Sequence, residues 1–380
     1  SSRFGSSRGS RAEGRDFSCD ARLALERGME IQAGASGDEA EQDEDERFYT
    51  EHRDELLSAL RGGCGFSGGE MFNRLEQRGD GGVGIANQGA TCYMNSLLQV
   101  LFHTPDFRSA IYSFSHDAAR HGDEARCIPL QLQRLFARMQ LSRARAVSTT
   151  GLTDACGMSG HTNEQHDVQE LCRVLFDALG RSSVPLRKDI ERLYEGRLVQ
   201  YVRTREPHDG RTYESSRKES VLDLQVPIVG CRTLEEALRK LVEPEELTGD
   251  NQWQCDELGT KVDALKGLEF ESLPQILHLQ LMRFIFDFQS MRRKKLTDNL
   301  SIPLELDARC LVGPGAEPAM YQLSGMCVQF GTAGGGHYVA KVRDAVTGNW
   351  LDANDAHVGV LTQQQVAGLF RPRGPAAGEA

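Results

Sequence analysis

The stretch GIANQGATCYMN, residues 84–95, places an amide side chain, a small-residue turn and a cysteine directly before an apolar helical pattern. Cys92 lies where that helix would begin, and there the helix dipole and unpaired backbone N–H groups favour a thiolate. The stretch therefore predicts a thiol nucleophile. The apolar residues that predict the buried face of this helix are Tyr93, Met94, Leu97, Leu98, Leu101 and Phe102.

A thiolate that attacks a carbonyl also needs hydrogen-bond donors for the oxyanion that forms. Asn87 precedes Cys92 across a Gln-Gly turn. We expect its side chain and the backbone N–H of Cys92 to supply those donors. The alternative is a buried structural cysteine, because free cysteine is among the most buried residue types.

A candidate base follows near the other end of the chain. His337 lies in GGHYVAKVR, residues 335–343, whose alternation predicts a half-buried strand. Thiol catalysis needs an imidazole that takes the proton and a third group that fixes the ring. We expect Asn354 to be that group, since an amide holds the tautomer without adding charge. Asp355 and then Asp352 are the alternatives.

A third segment, QHDVQELCRVLFD at residues 165–177, predicts an amphipathic helix. Asp167 and Glu170 lie near each other on its polar face. On the residues alone, such a carboxylate pair is as compatible with a solvated surface as with a binding site.

The three segments resemble the cysteine box, a ubiquitin-facing helix and the histidine box of the ubiquitin-specific proteases, which are papain-like deubiquitinating enzymes. The resemblance covers about residues 84–369. Residues 165–177 and 277–284 resemble most the branch that contains the herpesvirus-associated ubiquitin-specific protease. The resemblance implies an α+β, papain-like cysteine protease fold with a catalytic domain at 83–371, divided into a thumb at about 84–190, fingers at 191–265 and a palm at 266–369.

The resemblance also implies that Cys92 and His337 cleave the bond after the C-terminal glycine of ubiquitin, with ubiquitin and ubiquitinated proteins as partners. Asp167 would bind the basic tail of ubiquitin. The glycines before His337 suggest a narrow channel for a Gly-Gly tail, with a flexible hinge as the alternative. The full set of expected substrate-binding residues is Asp167, Glu170, Gly335, Gly336 and Tyr338. Two other functions stay open: a non-catalytic ubiquitin-binding module, and a protease for another ubiquitin-like modifier.

Composition predicts a soluble intracellular enzyme. The 380 residues are 39% hydrophobic and 26% charged, with a net charge of −11. No apolar stretch is long enough to span a membrane. The negative charge disfavours nucleic acid as a partner and suits a basic peptide. We expect no membrane partner and a cytoplasmic or nuclear location.

The first 82 residues differ from the rest, because Ser, Gly and Arg dominate residues 1–15 and an acidic run occupies residues 38–46. We expect them to be mostly disordered, with a short helix at 48–60, and we expect a flexible tail at 372–380. The motif GFSGG at residues 65–69 matches a serine-hydrolase elbow. It lacks the preceding strand that an elbow requires.

The ten cysteines contain no Cys-x-x-Cys pair. Many ubiquitin-specific proteases hold zinc in the fingers through two such pairs, and residues 202–206 and 254–258 here retain one cysteine. We therefore expect no zinc and no cofactor. A looser group, Cys156, His161, His166 and Cys172, lacks the short ligand pairs of a metal site.

Two further expectations concern the palm. The apolar run at residues 276–286 predicts one strand in the sheet core. The basic run RRKK, residues 292–295, is compatible with a localisation signal, although a solvated hairpin turn is the preferred interpretation.

Overall fold

The computed structural model describes residues 82–142, 144–158, 166–287, 291–312, 319–332 and 335–370. Several expectations lie outside these residues: the predicted disordered segment up to residue 81, with its helix and its serine-elbow motif, and the tail at 372–380.

The first part of the described chain is helical. Helix α2 begins with a proline after Thr104, as the sequence predicts. A short parallel pair, β1 (Gly84–Ile85) with β2 (Ala146–Val147), flanks the helices. The helices are α1 (Cys92–Phe102), α2 (Pro105–Tyr112), α3 (Ala118–His121), α4 (Ile128–Leu141), α5 (Thr150–Ala155), α6 (Val168–Ser182) and α7 (Val184–Tyr194).

Helix α1 is the centre of the helical core. Every residue from Cys92 to Gln99 is buried, so the helix is enclosed on all sides rather than along one stripe. Phe107 of α2 contacts both Phe136 of α4 and Tyr194 of α7, with ring centroids 6.3 and 6.1 Å away. Such close packing holds these helices in fixed positions relative to one another.

A first sheet of four antiparallel strands follows, with Gly196–Thr204 and Ala264–Ser272 at its centre and Glu214–Val221 and Glu245–Leu247 at its edges. A hairpin, a parallel strand pair (β5 with β10) and one amphipathic helix adjoin it. The elements are β3 (Gly196–Thr204), β4 (Glu214–Val221), β5 (Leu224–Val226), α8 (Leu234–Val242), β6 (Glu245–Leu247), β7 (Trp253–Cys255), β8 (Thr260–Val262), β9 (Ala264–Ser272) and β10 (Leu279–Leu281).

The second sheet is an antiparallel meander of the four strands between Gly325 and Val360, and α1 packs against it. Helices and sheets that lie mostly in separate parts of the chain confirm the predicted α+β class. The exact limits of thumb, fingers and palm stay predictions. The remaining elements are β11 (Phe284–Asp287), β12 (Arg292–Lys295), β13 (Glu305–Asp307), β14 (Met320–Gln322), β15 (Gly325–Thr332), β16 (Gly335–Arg343), β17 (Trp350–Asn354), β18 (His357–Val360) and α9 (Gln363–Phe370).

The prediction of one continuous strand at residues 276–286 is wrong. Strands β10 and β11 are separate, because Arg283 turns its guanidinium to the backbone oxygens of Leu296 and Asp298, at 3.2 and 3.0 Å. A charged side chain inside an apolar run must find such acceptors when it is partly buried. The basic run is also not a turn, since residues 292–295 form β12, paired antiparallel with β11.

The predicted half-buried alternation of β16 is wrong as well. Residues 339–342 are all buried, because both faces of this strand are covered. Lys341 is tolerated there since its Nζ lies 2.5 Å from the carboxylate of Asp352, directly across on β17. This ion pair removes Asp352 from the candidates for orienting His337.

Candidate functional site

A hydrogen-bonded turn precedes Cys92. The side-chain oxygen of Asn87 accepts from the backbone N–H groups of Gly89 and Thr91, at 2.9 and 3.2 Å. Thr91 Oγ1 accepts in turn from the N–H of Gln88 at 2.9 Å. Helix α1 then begins at Cys92, which is 3% exposed. The predicted placement of the cysteine at the start of a buried helix is confirmed, so its sulfur lies at the positive end of the helix dipole.

Strand β1 is held against the turn between β17 and β18. The N–H of Ile85 donates to the backbone oxygen of Asp355 at 2.9 Å. A Cβ at Gly84 would lie 2.4 Å from the carbonyl carbon of Ala356. Only glycine permits this approach, and the approach brings Asn87 beside Asp355.

His337 lies in β16, and its ring is oriented from β17. Its Nε2–H donates to Oδ1 of Asn354 at 2.6 Å. Because an amide oxygen only accepts, Nε2 carries the hydrogen of this bond, and in the neutral imidazole the lone pair is then on Nδ1. The next residue, Tyr338, donates its backbone N–H to the sulfur of Cys92 at 3.5 Å. The strand that carries the imidazole is therefore in direct contact with the thiol.

Asp355 lies at the centre of a network of amides. Its Oδ2 accepts from the Nδ2 of Asn87 at 2.9 Å, and its Oδ1 accepts from the Nδ2 of Asn95 at 2.8 Å. The same carboxylate lies 3.9 Å from Nε2 of His337. Its φ of +51° is a left-handed conformation that Asp and Asn tolerate better than other side chains. The closer partner of the imidazole is thus Asn354, while Asp355 fixes the two amides.

Asn95 is a site residue that the sequence reasoning missed. It is 2% exposed and lies on α1 one turn after Cys92, where its amide also approaches the backbone oxygen of Ile85 at 3.3 Å. The signal was present in the sequence, because an amide inside an apolar helical face must find hydrogen-bond partners when it is buried.

Asp167 and Glu170 are both exposed at the start of α6. Asp167 is the N-cap of this helix, since one carboxylate oxygen accepts from the N–H groups of Gln169 and Glu170, at 2.7 and 3.4 Å. Burial, and then the negative charge of Asp167, raises the pKa of Tyr338 to about 12. The phenol of Tyr338 therefore stays protonated near neutral pH.

The two described glycines before His337 differ in their surroundings. A Cβ at Gly336 would lie 2.0 Å from the backbone oxygen of Phe330 and 2.2 Å from the side-chain nitrogen of Gln329. A Cβ at Gly335 would meet no atom within 4 Å. Gly336 is therefore required by packing against β15, whereas Gly335 borders open space.

Within the described ranges, no group of three or more His, Cys, Asp or Glu side chains is arranged to hold a metal ion. Among the described helices, none has the length and apolarity needed to cross a bilayer. His161, one residue of the looser Cys/His group, lies outside the described residues.

Residues 83–373 match the family model described as "Ubiquitin carboxyl-terminal hydrolase". Because the match covers most of the chain, the protein belongs to this family, whose members are cysteine-type deubiquitinases. Membership agrees with the fold and with the assembly of thiol, imidazole and amide described above.

Several curated relatives agree with this assignment. Ubiquitin carboxyl-terminal hydrolase 47 of Xenopus tropicalis is 36% identical over 361 residues, which cover 78% of this chain and 26% of that protein. The human protein of the same name is 35% identical over 367 residues, covering 79% and 26%. Ubiquitin C-terminal hydrolase 12 of Arabidopsis thaliana is 38% identical over 289 residues, covering 73% and 25%. This chain thus spans about a quarter of the length of these relatives.

Proposed function

We propose that this chain hydrolyses the isopeptide or peptide bond after the C-terminal glycine of ubiquitin. The strongest support is the contact between the strand of His337 and the sulfur of Cys92, together with the hydrogen bond that fixes the ring on Asn354. A thiol at a helix N-terminus and an imidazole with a free Nδ1 are the groups that covalent acyl transfer needs.

In the first step, Nδ1 of His337 takes the proton of Cys92, and the thiolate attacks the carbonyl carbon of the terminal glycine. Asn354 holds the protonated ring in place without adding a second negative charge. The tetrahedral intermediate then collapses to a thioester as His337 delivers the proton to the leaving amine. Water attacks the thioester with His337 as base, which releases ubiquitin with a free carboxylate and restores the thiol.

The oxyanion of both tetrahedral intermediates is assigned to the N–H of Cys92 and to the amide of Asn87. That amide has two N–H groups. One donates to Asp355, and we assign the other to the oxyanion. Because both ends of the Asn87 side chain are held, the donor is oriented before the substrate arrives, which is the condition for strong oxyanion stabilisation.

Substrate recognition is assigned to the cleft between α6 and β16. The exposed carboxylates of Asp167 and Glu170 suit the basic tail of ubiquitin. Asp167 caps its helix with one oxygen, and the other oxygen is assigned to the tail. Gly335 borders open space and Tyr338 stays protonated as a donor, so we assign both to the channel for the terminal glycines, next to Gly336.

The first test is to mix the protein with ubiquitin that carries a cysteine-reactive electrophile at its C-terminus and to follow adducts by intact mass. We expect one adduct, which is lost in Cys92→Ala. The matched control is Cys156→Ala, because burial raises the pKa of the Cys156 thiol to about 11 and keeps that thiol protonated at neutral pH.

An adduct that survives in Cys92→Ala would refute the assigned nucleophile. Ubiquitin that binds without forming an adduct would indicate a non-catalytic binding module. If the same electrophile reacts faster on another ubiquitin-like modifier than on ubiquitin, that modifier would be the substrate instead of ubiquitin.

We also propose that this chain belongs near the herpesvirus-associated branch of the family, supported by the amino-acid sequences of residues 165–177 and 277–284. A tree of catalytic-domain sequences tests it. We further propose ubiquitinated proteins rather than nucleic acid or membranes as partners, and a cytoplasmic or nuclear location. Imaging of the tagged protein and a pull-down with ubiquitin chains test these two proposals.

A further inference from the structure

The basic hairpin beside the site contains one lysine that behaves unlike its neighbours. Strand β12 (Arg292–Lys295) pairs with β11, and its first three residues are exposed. Lys295 is half-buried, and its side chain leaves the hairpin to contact β15 of the second sheet.

The ammonium of Lys295 donates to three oxygens. Its Nζ lies 2.7 Å from the backbone oxygen of Gln329 and 3.1 Å from that of Gly331, and it also donates to the side-chain oxygen of Gln329. An ammonium has three N–H donors, so all three are satisfied by β15. Hydrogen bonds from a charged donor are stronger than those between neutral groups. The lysine thus fastens the hairpin to the edge strand of the second sheet.

This end of β15 supports the strand that carries His337. Across the β15–β16 pair, Phe330 is opposite His337 and Gly331 is opposite Gly336. The Gln329 side chain that accepts from Lys295 also donates to the backbone oxygen of Thr332 at 3.2 Å. The same side chain fills the space against Gly336 that a Cβ would need. The residues that Lys295 contacts on β15 therefore include, or directly neighbour, the residues paired with His337 and with the glycine pair, Gly335 and Gly336.

We propose that Lys295 is a positioning residue, which fixes the end of β16 so that His337 and the glycine pair are held in their reactive places. The effect on catalysis rests on the proposed function, whereas the effect on the strand end does not. The basic run at residues 292–295, which the sequence predicts to be a turn or a localisation signal, would thus contain one residue, Lys295, that positions the catalytic site.

The test is Lys295→Met, which keeps the apolar stem and removes the donors and the charge. The matched control is Lys294→Met. It makes the same change of charge on an exposed neighbour, whose side chain points to the opposite face of the strand. Three quantities are measured for each variant: turnover of ubiquitin bearing a C-terminal fluorogenic amide, the Kd for ubiquitin, and hydrogen exchange of the amides in residues 335–340 of the free protein.

We expect Lys295→Met to lower kcat roughly 10- to 100-fold, or about 1.4–2.7 kcal/mol, within the range for lost hydrogen bonds to a charged group. The Kd for ubiquitin, measured in a Cys92→Ala background, should stay within about threefold. A general loss of structure would change kcat and Kd together. Exchange in residues 335–340 should rise at least about tenfold, because the strand end opens more often. Lys294→Met should change none of these quantities.

If Lys295→Met matches Lys294→Met in both kcat and exchange, the positioning role is refuted. If the unaltered protein does not turn over ubiquitin, the proposed function fails and exchange alone decides on Lys295. Faster exchange in Lys295→Met would then still support the fastening of β16, and unchanged exchange would refute it.

Discussion

Replacing Asp355 by Asn tests whether this carboxylate acts through the oxyanion amide. The carboxylate accepts one amide N–H group from Asn87 and one from Asn95. A carboxamide has one oxygen, so it can accept from one of them and must turn its own NH₂ group toward the other. Asn also tolerates the left-handed φ of this position, so backbone strain does not obscure the result.

The size of the effect follows from the lost hydrogen bond. A bond to a charged acceptor contributes about 1.5–3 kcal/mol. Loss of this free energy lowers the fraction of molecules in which the Asn87 amide is correctly oriented by roughly 10- to 150-fold. The value of kcat should fall by about the same factor. Truncation in Asn87→Ala removes the donor itself and should lower kcat by about 10²–10³.

The assay is a double-mutant cycle on kcat with a fluorogenic ubiquitin amide. If Asp355 acts through Asn87, the double variant Asn87→Ala/Asp355→Asn should be within about threefold of Asn87→Ala alone. Multiplication of the two single effects, to roughly 10³–10⁵, would refute the reasoning and point to a direct action on His337. Asp256→Asn, the same change at an exposed turn residue, is the control and should leave kcat unchanged.

Three other outcomes are expected. Asn354→Ala should lower kcat roughly 2- to 13-fold, the worth of a neutral hydrogen bond to the ring of His337, and unchanged kcat would refute its orienting role. Gly336→Ala should destabilise the fold by about 1–3 kcal/mol, measured by thermal unfolding, whereas Gly335→Ala should leave stability unchanged and raise KM. Burial lowers the pKa of His278 from 6.5 to about 4. The neutral imidazole therefore stabilises the fold above pH 6.5, and this stabilisation is lost as the pH falls toward 4. In urea unfolding, His278→Phe should reduce the difference in stability between pH 7 and pH 5 by about 1–2 kcal/mol.

The parts of the site that lie within one local segment could be predicted from the sequence. The helix that begins at Cys92 follows from the spacing of apolar residues after a small-residue turn, and Pro105 predicts the start of the next helix. The strand of His337 is likewise predicted from the local sequence pattern at residues 335–343. In each case the residues that decide the structure are within one or two helical turns or strand repeats of each other, so short-range sterics and amphipathicity are sufficient.

The parts that depend on distant contacts could not be predicted. The alternation in β16 failed because both faces of the strand are covered, and nothing local to Lys341 announces the carboxylate across from it. The sequence does not distinguish Lys295 from its exposed neighbours, since its hydrogen-bond partners are 34 and 36 residues away. From the residue types alone, Asp355 is predicted only as an alternative to Asn354 for orienting His337. Its contact with Asn87 depends on how β1 lies over the β17–β18 turn.

The crossing of β1 over that turn has a consequence for how the protein is made. Asn87 and Asp355 are 268 positions apart, so one of the contacts that hold the amide assigned to the oxyanion comes from the far end of the domain. At about 5–20 residues per second, a ribosome needs roughly 15–50 s to pass from one to the other. Throughout that interval the nascent chain already contains its cysteine but not the carboxylate that orients Asn87. The emerging polypeptide is therefore expected to reach full activity toward ubiquitin only when synthesis of the domain is nearly finished.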